Sequence, residues 1–122
     1  MTSDELEGKA LAEAVALAQG WEMYGTHWVV LLSGEHVWQQ DIEDYRPDIG
    51  INQAFVLIDK LWEQRCDFCI SREDQDRWWV EIHDLKWCNE ETNSYTILVS
   101  EMLRGTAPEV ICRAFLKAKT AR

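Results

Sequence analysis

The chain has 122 residues, with 12 lysine and arginine side chains against 22 aspartate and glutamate side chains and a formal net charge of -10. This length suits one domain that buries a core without disulfides, and the negative charge disfavours direct binding to nucleic acid or to an anionic membrane. The longest apolar runs, residues 28–32 among them, are far too short to cross a bilayer.

The first predicted element is an amphipathic helix. Thr2 and Glu5 have the spacing of a capping box, and Gly20 suits the position that ends a helix in the left-handed conformation. Between them, apolar residues recur at helical spacing, so one face of the helix should be buried. The residues of this face are Leu6, Ala10, Leu11, Ala14, Val15, Leu17 and Ala18.

A β-hairpin is predicted next. Residues 26–32 are rich in β-branched and aromatic side chains, Ser33 and Gly34 have turn chemistry, and a second apolar patch begins at Val37. Residues 39–50 are polar and acidic and are predicted to form an ordered surface loop. A loop of this length is uncommon without a role, which makes it a candidate for function.

A second helix and three strands follow. The second helix is predicted to begin at Ile51, capped by Asp48 or a close neighbour. Its predicted buried face consists of Ile51, Ala54, Phe55, Ile58, Leu61 and Trp62. Strand-like runs and polar turns then alternate, which favours an antiparallel meander. The strands are predicted at residues 67–72, 78–85 and 95–100, and the turns at residues 73–76 and 89–93.

The last predicted element, a helix over residues 107–121, has the clearest start signal. Thr106 and Glu109 form a capping box, and Pro108 lies in the first turn, where a missing N–H costs nothing. Basic residues at its end, among them Lys119 and Arg122, complement the helix dipole. The predicted buried face consists of Val110, Ile111, Ala114, Phe115 and Ala118.

Three of these segments resemble the phage ABA sandwich family, a group of small phage and prophage proteins. They are the first helix with Gly20 and Trp21, residues 51–61, and residues 106–114. The resemblance implies one α+β domain over residues 1–122, a three-layer α/β/α sandwich. Its antiparallel sheet of about four to five strands would be flanked by three helices. The resemblance also implies a phage or prophage origin and supplies no catalytic residues.

The cysteines leave two interpretations open. Cys66, Cys69, His83 and Cys88 have the residue types of a zinc site, which predicts a small metal-binding regulatory domain. In a strand, however, Cys66 and Cys69 point to opposite faces, roughly 10 Å apart, unless a turn covers residues 64–67. The other interpretation is buried, reduced thiols in a cytoplasmic protein, because residues 1–8 lack the pattern of a secretory leader.

No catalytic arrangement is predicted. His83 and Asp84 are neighbours, but adjacent strand residues face opposite sides, so they do not form a dyad without a bulge. Ser33 near His36 lacks the strand-to-helix turn of a nucleophile elbow. The chain contains neither a glycine-rich phosphate loop nor a His-Glu-x-x-His helix. We therefore expect a protein that is not an enzyme and carries no cofactor.

Aromatic and acidic residues form the candidate binding site. The chain has seven tryptophans, more than a core of this size takes, so some are expected in an interface. Trp78 and Trp79 are adjacent in a predicted strand, so one ring enters the core and the other faces solvent, unless helices cover both sheet faces. The predicted partner-binding residues are Asp41, Glu43, Asp44, Asp48, Asp74, Asp76, Trp78, Trp79 and Glu81.

The sequence thus favours a non-catalytic binding protein. A tryptophan among carboxylates suits a basic protein surface such as a nucleic-acid-binding groove. With the phage-type resemblance, this predicts an accessory protein that binds a host protein in the host cytoplasm, for example an anti-defence inhibitor of the anti-CRISPR kind. Two alternatives stay open: acidity that serves only solubility, and association with a second copy of the chain.

Overall fold

The computed structural model describes the backbone of residues 4–89 and 94–121 and the side chains of residues 4–85 and 96–121. In this part of the chain, three helices accompany two antiparallel three-stranded sheets. The helices are α1 (Gly8–Ala18), α2 (Ile51–Glu63) and α3 (Ala107–Ala121). The first sheet contains β1 (Glu22–Tyr24), β2 (His27–Leu32) and β3 (Glu35–Asp41), in that spatial order. The second sheet contains β4 (Cys66–Arg72), β5 (Arg77–Asn89) and β6 (Ser94–Arg104), also in that order.

The predicted α+β class is confirmed, but the predicted single sheet of four to five strands is wrong. The strands of the first sheet pair with one another, and α2 separates them along the chain from the second sheet. Hairpins with tight turns pair locally, and the pattern within a strand does not specify which sheet the strand joins. The three-layer stacking stays a prediction.

The first sheet is built from two tight hairpins. Gly25, with a φ of 65°, lies between β1 and β2, while Ser33 and Gly34, with φ of 52° and 83°, join β2 to β3. In the second turn, left-handed conformations at both central residues match the twist of a two-residue hairpin. The predicted hairpin is therefore confirmed. β1 was not predicted, and residues 39–41, predicted as loop, continue β3.

α1 ends where predicted, but its predicted buried face is only partly right, because Ala10 and Leu17 are exposed. Its buried residues are Leu11, Ala12, Val15 and Ala16. Gly20 has a φ of 80°, and its N–H donates to the Leu17 carbonyl at 3.0 Å, so the predicted helix end is confirmed. Thr2 of the predicted capping box lies outside the described residues. Glu7 occupies the N-cap position and makes no side-chain hydrogen bond there.

α2 forms where predicted, but part of its predicted buried face is wrong. The buried residues are Ala54, Leu57 and Leu61. Ile51, Phe55 and Trp62, by contrast, are 38%, 51% and 64% exposed. Apolar residues occupy much of the helix circumference, so periodicity alone does not select the side that meets α3 and β4. The helix begins after Gly50, where no side chain caps it.

The second sheet is the predicted meander, with longer strands than predicted. β4 pairs with β5 and β5 with β6, all antiparallel. Val80 and Ile82 have no exposed surface on the side of β5 that meets α3. The opposite face carries exposed side chains at Cys69, Trp79 and Ile97. Residues 90–93 of the predicted turn lie outside the described part of the chain.

α3 is the central element of the core. Its predicted capping box is confirmed, because the Thr106 N–H donates to Glu109 Oε1 at 3.0 Å and the Glu109 N–H donates to Thr106 Oγ1 at 3.4 Å. All five predicted face residues are buried, together with Cys112 and Arg113. The helix contacts α1, α2, β5 and β6, which explains burial beyond one face. Lys119 lies in its last turn, and Arg122 lies outside the described residues.

Arg113 connects α3 to two other segments. The residue is only 6% exposed, and its guanidinium donates to the carbonyl of Arg104 at 2.9 Å and to that of Leu6 at 3.0 Å. Gly105 has a φ of 129°, and a Cβ there would lie 2.9 Å from Arg113 Nη1. Glycine at this position therefore allows both the backbone conformation and the close approach of the buried guanidinium.

Trp28 of β2 anchors the first sheet to the core. Trp28 and Val29 are 1% and 3% exposed. Beside them, the Tyr45 ring lies 4.7 Å from the Trp21 ring, centroid to centroid, and burial raises the pKa of Tyr45 to about 12. Toward the turn, residues 31–38 are all exposed. The base of the hairpin is therefore held in the core, while its tip extends into solvent.

Candidate functional site

Three of the predicted acidic residues lie together at the end of the first sheet. Asp41 is the last residue of β3, and Glu43 and Asp44 follow in the next turn; all three are exposed. The N–H groups of Asp44 and Tyr45 both donate to the Asp41 carbonyl at 3.1 Å, which holds the turn in place. The three carboxylates border a surface depression of about 450 Å³, shared with Thr26 and residue 42.

Asp48, a fourth predicted residue, is not on the surface. Its side chain is 2% exposed and accepts two hydrogen bonds from Arg46, at 2.9 Å to Oδ1 and 2.8 Å to Oδ2. Hydrogen bonding to this carboxylate raises the pKa of Arg46. The prediction that Asp48 belongs to a binding surface therefore has to be corrected: the residue is one half of an ion pair that shapes the loop before α2.

The other two predicted aspartates lie in the turn between β4 and β5. Asp74 accepts a hydrogen bond from the Gln75 N–H at 2.7 Å and one from Arg77 at 3.0 Å, which lower its pKa. Arg72 donates to the backbone of the same turn. The carbonyl of Asp76 accepts from the backbone N–H of residue 105. Because two arginines accompany these acids, this turn is less negative than the group around Asp41.

Trp78 and Trp79 lie on opposite faces of β5, so the interpretation in which both rings are buried is wrong. Trp78 packs against the core and donates to the Gly105 carbonyl at 3.0 Å. Trp79 is 36% exposed and donates to Glu81 Oε1 at 3.1 Å. The structure thus places Trp79 beside Glu81 on the second sheet, whereas Asp41, Glu43 and Asp44 lie at the end of the first sheet.

The first sheet carries exposed apolar side chains on both of its faces, which the sequence pattern did not predict and which we call together the first-sheet patch. It consists of Met23, Tyr24, Leu31, Leu32, Val37 and Trp38, each between 38% and 58% exposed. A signal for it exists in the sequence, since residues 28–32 are apolar without interruption. A two-stranded projection with a continuous apolar run has apolar side chains on both faces, and a single core covers only one.

Aromatic rings cluster within the first-sheet patch. Tyr24 lies opposite His27 in the pairing of β1 and β2, and their ring centroids are 5.9 Å apart. The Tyr24 ring also lies 5.5 Å from the His36 ring of β3. Trp38 pairs with Val29, the buried residue at the base of the hairpin. The exposed aromatic side chains therefore stand on a sheet that is anchored in the core.

Exposed carboxylates lie on the same strands as the first-sheet patch and in the turn that follows them. The chain has no lysine or arginine between Lys9 and Arg46. Over the first sheet and the turn after it, five acidic side chains are exposed, and we call them the acidic rim. They are Glu22, Glu35, Asp41, Glu43 and Asp44. Lys9 and Arg46 line a cavity with Glu43, so the charge is offset only at that end. An apolar, aromatic centre beside predominantly negative charge is a suitable surface for a basic protein.

The residues of the alternative zinc site do not converge. Cys66 is buried and pairs with Asp84 across the strands, whereas Cys69 is exposed and pairs with Glu81 on the other face of β4. Among the described side chains, no three cysteine, histidine or acidic residues are grouped to hold a metal ion. The side chain of Cys88 lies outside the described residues, so its part in the predicted site stays a prediction.

The thiol environments also differ from the predicted uniform burial. Cys66 and Cys112 are buried, at 1% and 0% exposure, but Cys69 is exposed. Desolvation, together with the negative charges of Asp67 and Glu81, raises the pKa of Cys69. Burial raises the pKa of Cys112 to about 12. Both thiols are therefore protonated at neutral pH, which is the less nucleophilic form.

The predicted separation of His83 from Asp84 is confirmed. Asp84 is 4% exposed on the core side of β5, and His83 lies on the other face. His83 Nε2 lies 3.3 Å from Glu81 Oε2 instead. The two neighbours therefore do not act as a histidine–carboxylate dyad.

Comparison of the chain with protein-family models, with curated proteins and with solved structures gives no match. In the described part of the chain, no helix is long and apolar enough to cross a membrane. The first-sheet patch and its acidic rim together combine exposed aromatic, aliphatic and acidic side chains, which makes the first sheet the candidate interaction surface.

Proposed function

We propose that this protein is a non-catalytic binding protein that uses the first sheet to occupy a basic site on a partner protein. The observation that carries the proposal is the first-sheet patch beside the acidic rim. Exposed apolar surface of this kind is uncommon on a monomer that has no partner, and it marks interaction sites. The protein acts by covering the site of its partner, without changing a covalent bond.

The two components of the surface have different roles in this proposal. Tyr24 and Trp38 supply the rigid aromatic area that contributes most of the affinity in protein interfaces. The acidic rim attracts a basic partner, raises the rate of association and disfavours acidic competitors. In this proposal the aromatic anchors are Tyr24 and Trp38 of the first sheet, whereas the sequence-based hypothesis named Trp78 and Trp79.

The narrower form of the proposal concerns the identity of the partner. A row of carboxylates competes with phosphates for lysine and arginine side chains, so the partner is a host protein with a nucleic-acid-binding groove. The resemblance of residues 51–61 and 106–114 to phage proteins supports an anti-defence role of the anti-CRISPR kind in the host cytoplasm. In this form the protein excludes nucleic acid from the groove and does not itself bind nucleic acid.

The proposal can be tested with two variants that each replace one exposed tryptophan by serine, one on the first sheet and one on α2. Trp38 of the first-sheet patch is 58% exposed, and Trp62 of α2 is 64% exposed, so Trp62→Ser is a matched control for Trp38→Ser. Each protein is immobilised and incubated with nuclease-treated bacterial lysate, and retained proteins are eluted with salt rising from about 0.05 M to about 1 M.

We expect one retained basic protein with the wild type and with Trp62→Ser. Because loss of a tryptophan anchor typically costs at least about 2 kcal/mol, binding to Trp38→Ser should fall roughly 30-fold or more. Titration with the purified partner measures the ratio. If the amount of retained partner does not change with salt concentration, attraction between charges does not drive binding. Equal binding by both variants would exclude the first sheet as the binding surface.

A further inference from the structure

β3 forms one edge of the first sheet, and this edge is open. The strand Glu35–Asp41 pairs with β2 on one side, and no described backbone group pairs with its other side at residues 35–40. Natural edge strands are protected by charged side chains, proline, a bulge or a covering segment, because an open edge pairs with other chains. In β3 the bulge lies at Gln39 and the charges are acidic, which leaves residues 35–38 regular and open to a basic strand. Glu35–Asp41 contains neither lysine nor proline, and its side chains at residues 35–38 are all exposed.

The turn geometry determines which backbone groups of β3 point outward. Leu32 and Glu35 flank the two-residue turn and pair directly, so they exchange hydrogen bonds with each other. Alternate residues of an antiparallel strand direct their N–H and C=O groups to opposite sides. His36 and Trp38 therefore present theirs to the open edge. The register shift after Trp38 ends the regular part of this edge.

Charge distinguishes the two kinds of strand that can pair with this edge. A second copy of the chain would bring the same acidic rim to the joint, and neither copy has a lysine or arginine between Lys9 and Arg46 to offset it. Each copy also adds a net charge of -10. A strand with lysine or arginine would instead place opposite charges near Glu35, at the tip, and Asp41, at the base.

We propose that the open edge of β3 binds an extended basic segment of the partner, which adds to the first sheet as a fourth strand. This inference rests on the proposed function and specifies its binding mode. Backbone hydrogen bonds to His36 and Trp38 supply part of the affinity, basic side chains of the segment meet the nearby acids Glu35 and Asp41, and its apolar side chains cover Val37 and Trp38.

A proline substitution separates the backbone contribution from that of the side chain. His36→Pro removes an outward N–H without removing a hydrogen bond to β2, whereas His36→Thr removes the same imidazole and keeps the N–H. The probe is a synthetic peptide of alternating lysine and valine. A peptide of the same length with alternating glutamate and valine is the control for charge. Circular dichroism establishes that both variants fold, and hydrogen exchange locates the bound peptide.

We expect His36→Pro to weaken binding of the lysine–valine peptide by about tenfold, the effect of losing one backbone hydrogen bond. His36→Thr loses the same imidazole beside Tyr24, so the tenfold ratio is taken between the two variants, and the peptide should protect the amides of His36 and Trp38. Equal binding by both variants, or protection elsewhere, would overturn the edge-strand inference while leaving the proposed function intact.

Three further outcomes also decide the inference. Retention of a basic protein from lysate without any binding of the peptide would overturn the edge-strand mode alone. Failure of both the peptide and the lysate proteins to bind would overturn the proposed function together with the inference. A wild-type dimer whose His36 and Trp38 amides are protected without peptide would identify the occupant of the edge as a second copy of the chain.

Discussion

Two alanine substitutions in α2 test which side of that helix meets the core. Leu57 has no exposed surface, whereas Phe55, two positions earlier, is 51% exposed, although the apolar pattern assigned Phe55 to the buried face. Alanine at either position maintains the helix, because it has the highest helix propensity. A difference in the free energy of unfolding between the two variants therefore reports the difference in burial.

The expected magnitudes follow from these exposures. Leu57→Ala removes a fully buried side chain from a helix that contacts α3 and β4. Such truncations cost about 2 to 5 kcal/mol, the transfer free energy of the lost groups plus a contribution from the cavity. Phe55→Ala removes a ring that is already half in water, so its cost should stay below about 1 kcal/mol, partly offset by helix propensity.

Urea unfolding followed by circular dichroism measures both values at one pH. We expect the midpoint to fall clearly for Leu57→Ala and only slightly for Phe55→Ala, with the same dependence on urea concentration in both variants. Similar destabilisation by the two substitutions, or a larger one for Phe55→Ala, would show that α2 buries the face that its sequence pattern predicts. The assignment of the core side of α2 would then be refuted.

Three other predictions concern α3. Arg113→Met should lower the free energy of unfolding by about 2 to 3 kcal/mol, because two backbone carbonyls lose their buried donor; an unchanged urea midpoint would contradict this. Thr106→Ala should cost about 1 kcal/mol through loss of the capping box, seen as a lower Tm, whereas Thr120→Ala near the end of the helix should leave Tm nearly unchanged. Burial raises the pKa of Cys112 from 9.0 to about 12, so above pH 9 the unfolded chain loses a proton that the folded protein keeps, and stability should fall by about 1.4 kcal/mol per pH unit. Urea titrations at pH 8 and at pH values above 9 should show a shallower alkaline loss for Cys112→Ala, and equal slopes would disprove the contribution of the thiol.

Local signals were sufficient to predict most of the secondary structure. The capping box at Thr106 and Glu109, the glycine at position 20 and the turn at Ser33 and Gly34 each depend on neighbours within a few residues. Because the interacting residues are close in sequence, these signals predicted the local structure correctly. The short strand β1 was missed because three exposed residues carry no alternation of apolar and polar side chains.

The candidate site was only partly predictable. The acids Asp41, Glu43 and Asp44 were identified from composition and are exposed. Asp48 looked the same in sequence, but its burial depends on the bidentate ion pair with Arg46 and on the loop that surrounds it. The exposed aromatic side chains of the first sheet were missed, because the pattern within a strand does not show which face the core covers.

The sequence by itself determined where the helices and hairpins form, that the chain is strongly acidic, and that no familiar catalytic motif is present. Only the tertiary structure decided that the strands divide into two sheets, that α2 buries Leu57 instead of Phe55, and that the β2–β3 tip extends from the core. Caps and turns depend on contacts between near neighbours. Burial of an apolar face depends on which elements, distant in sequence, pack against it in the folded protein.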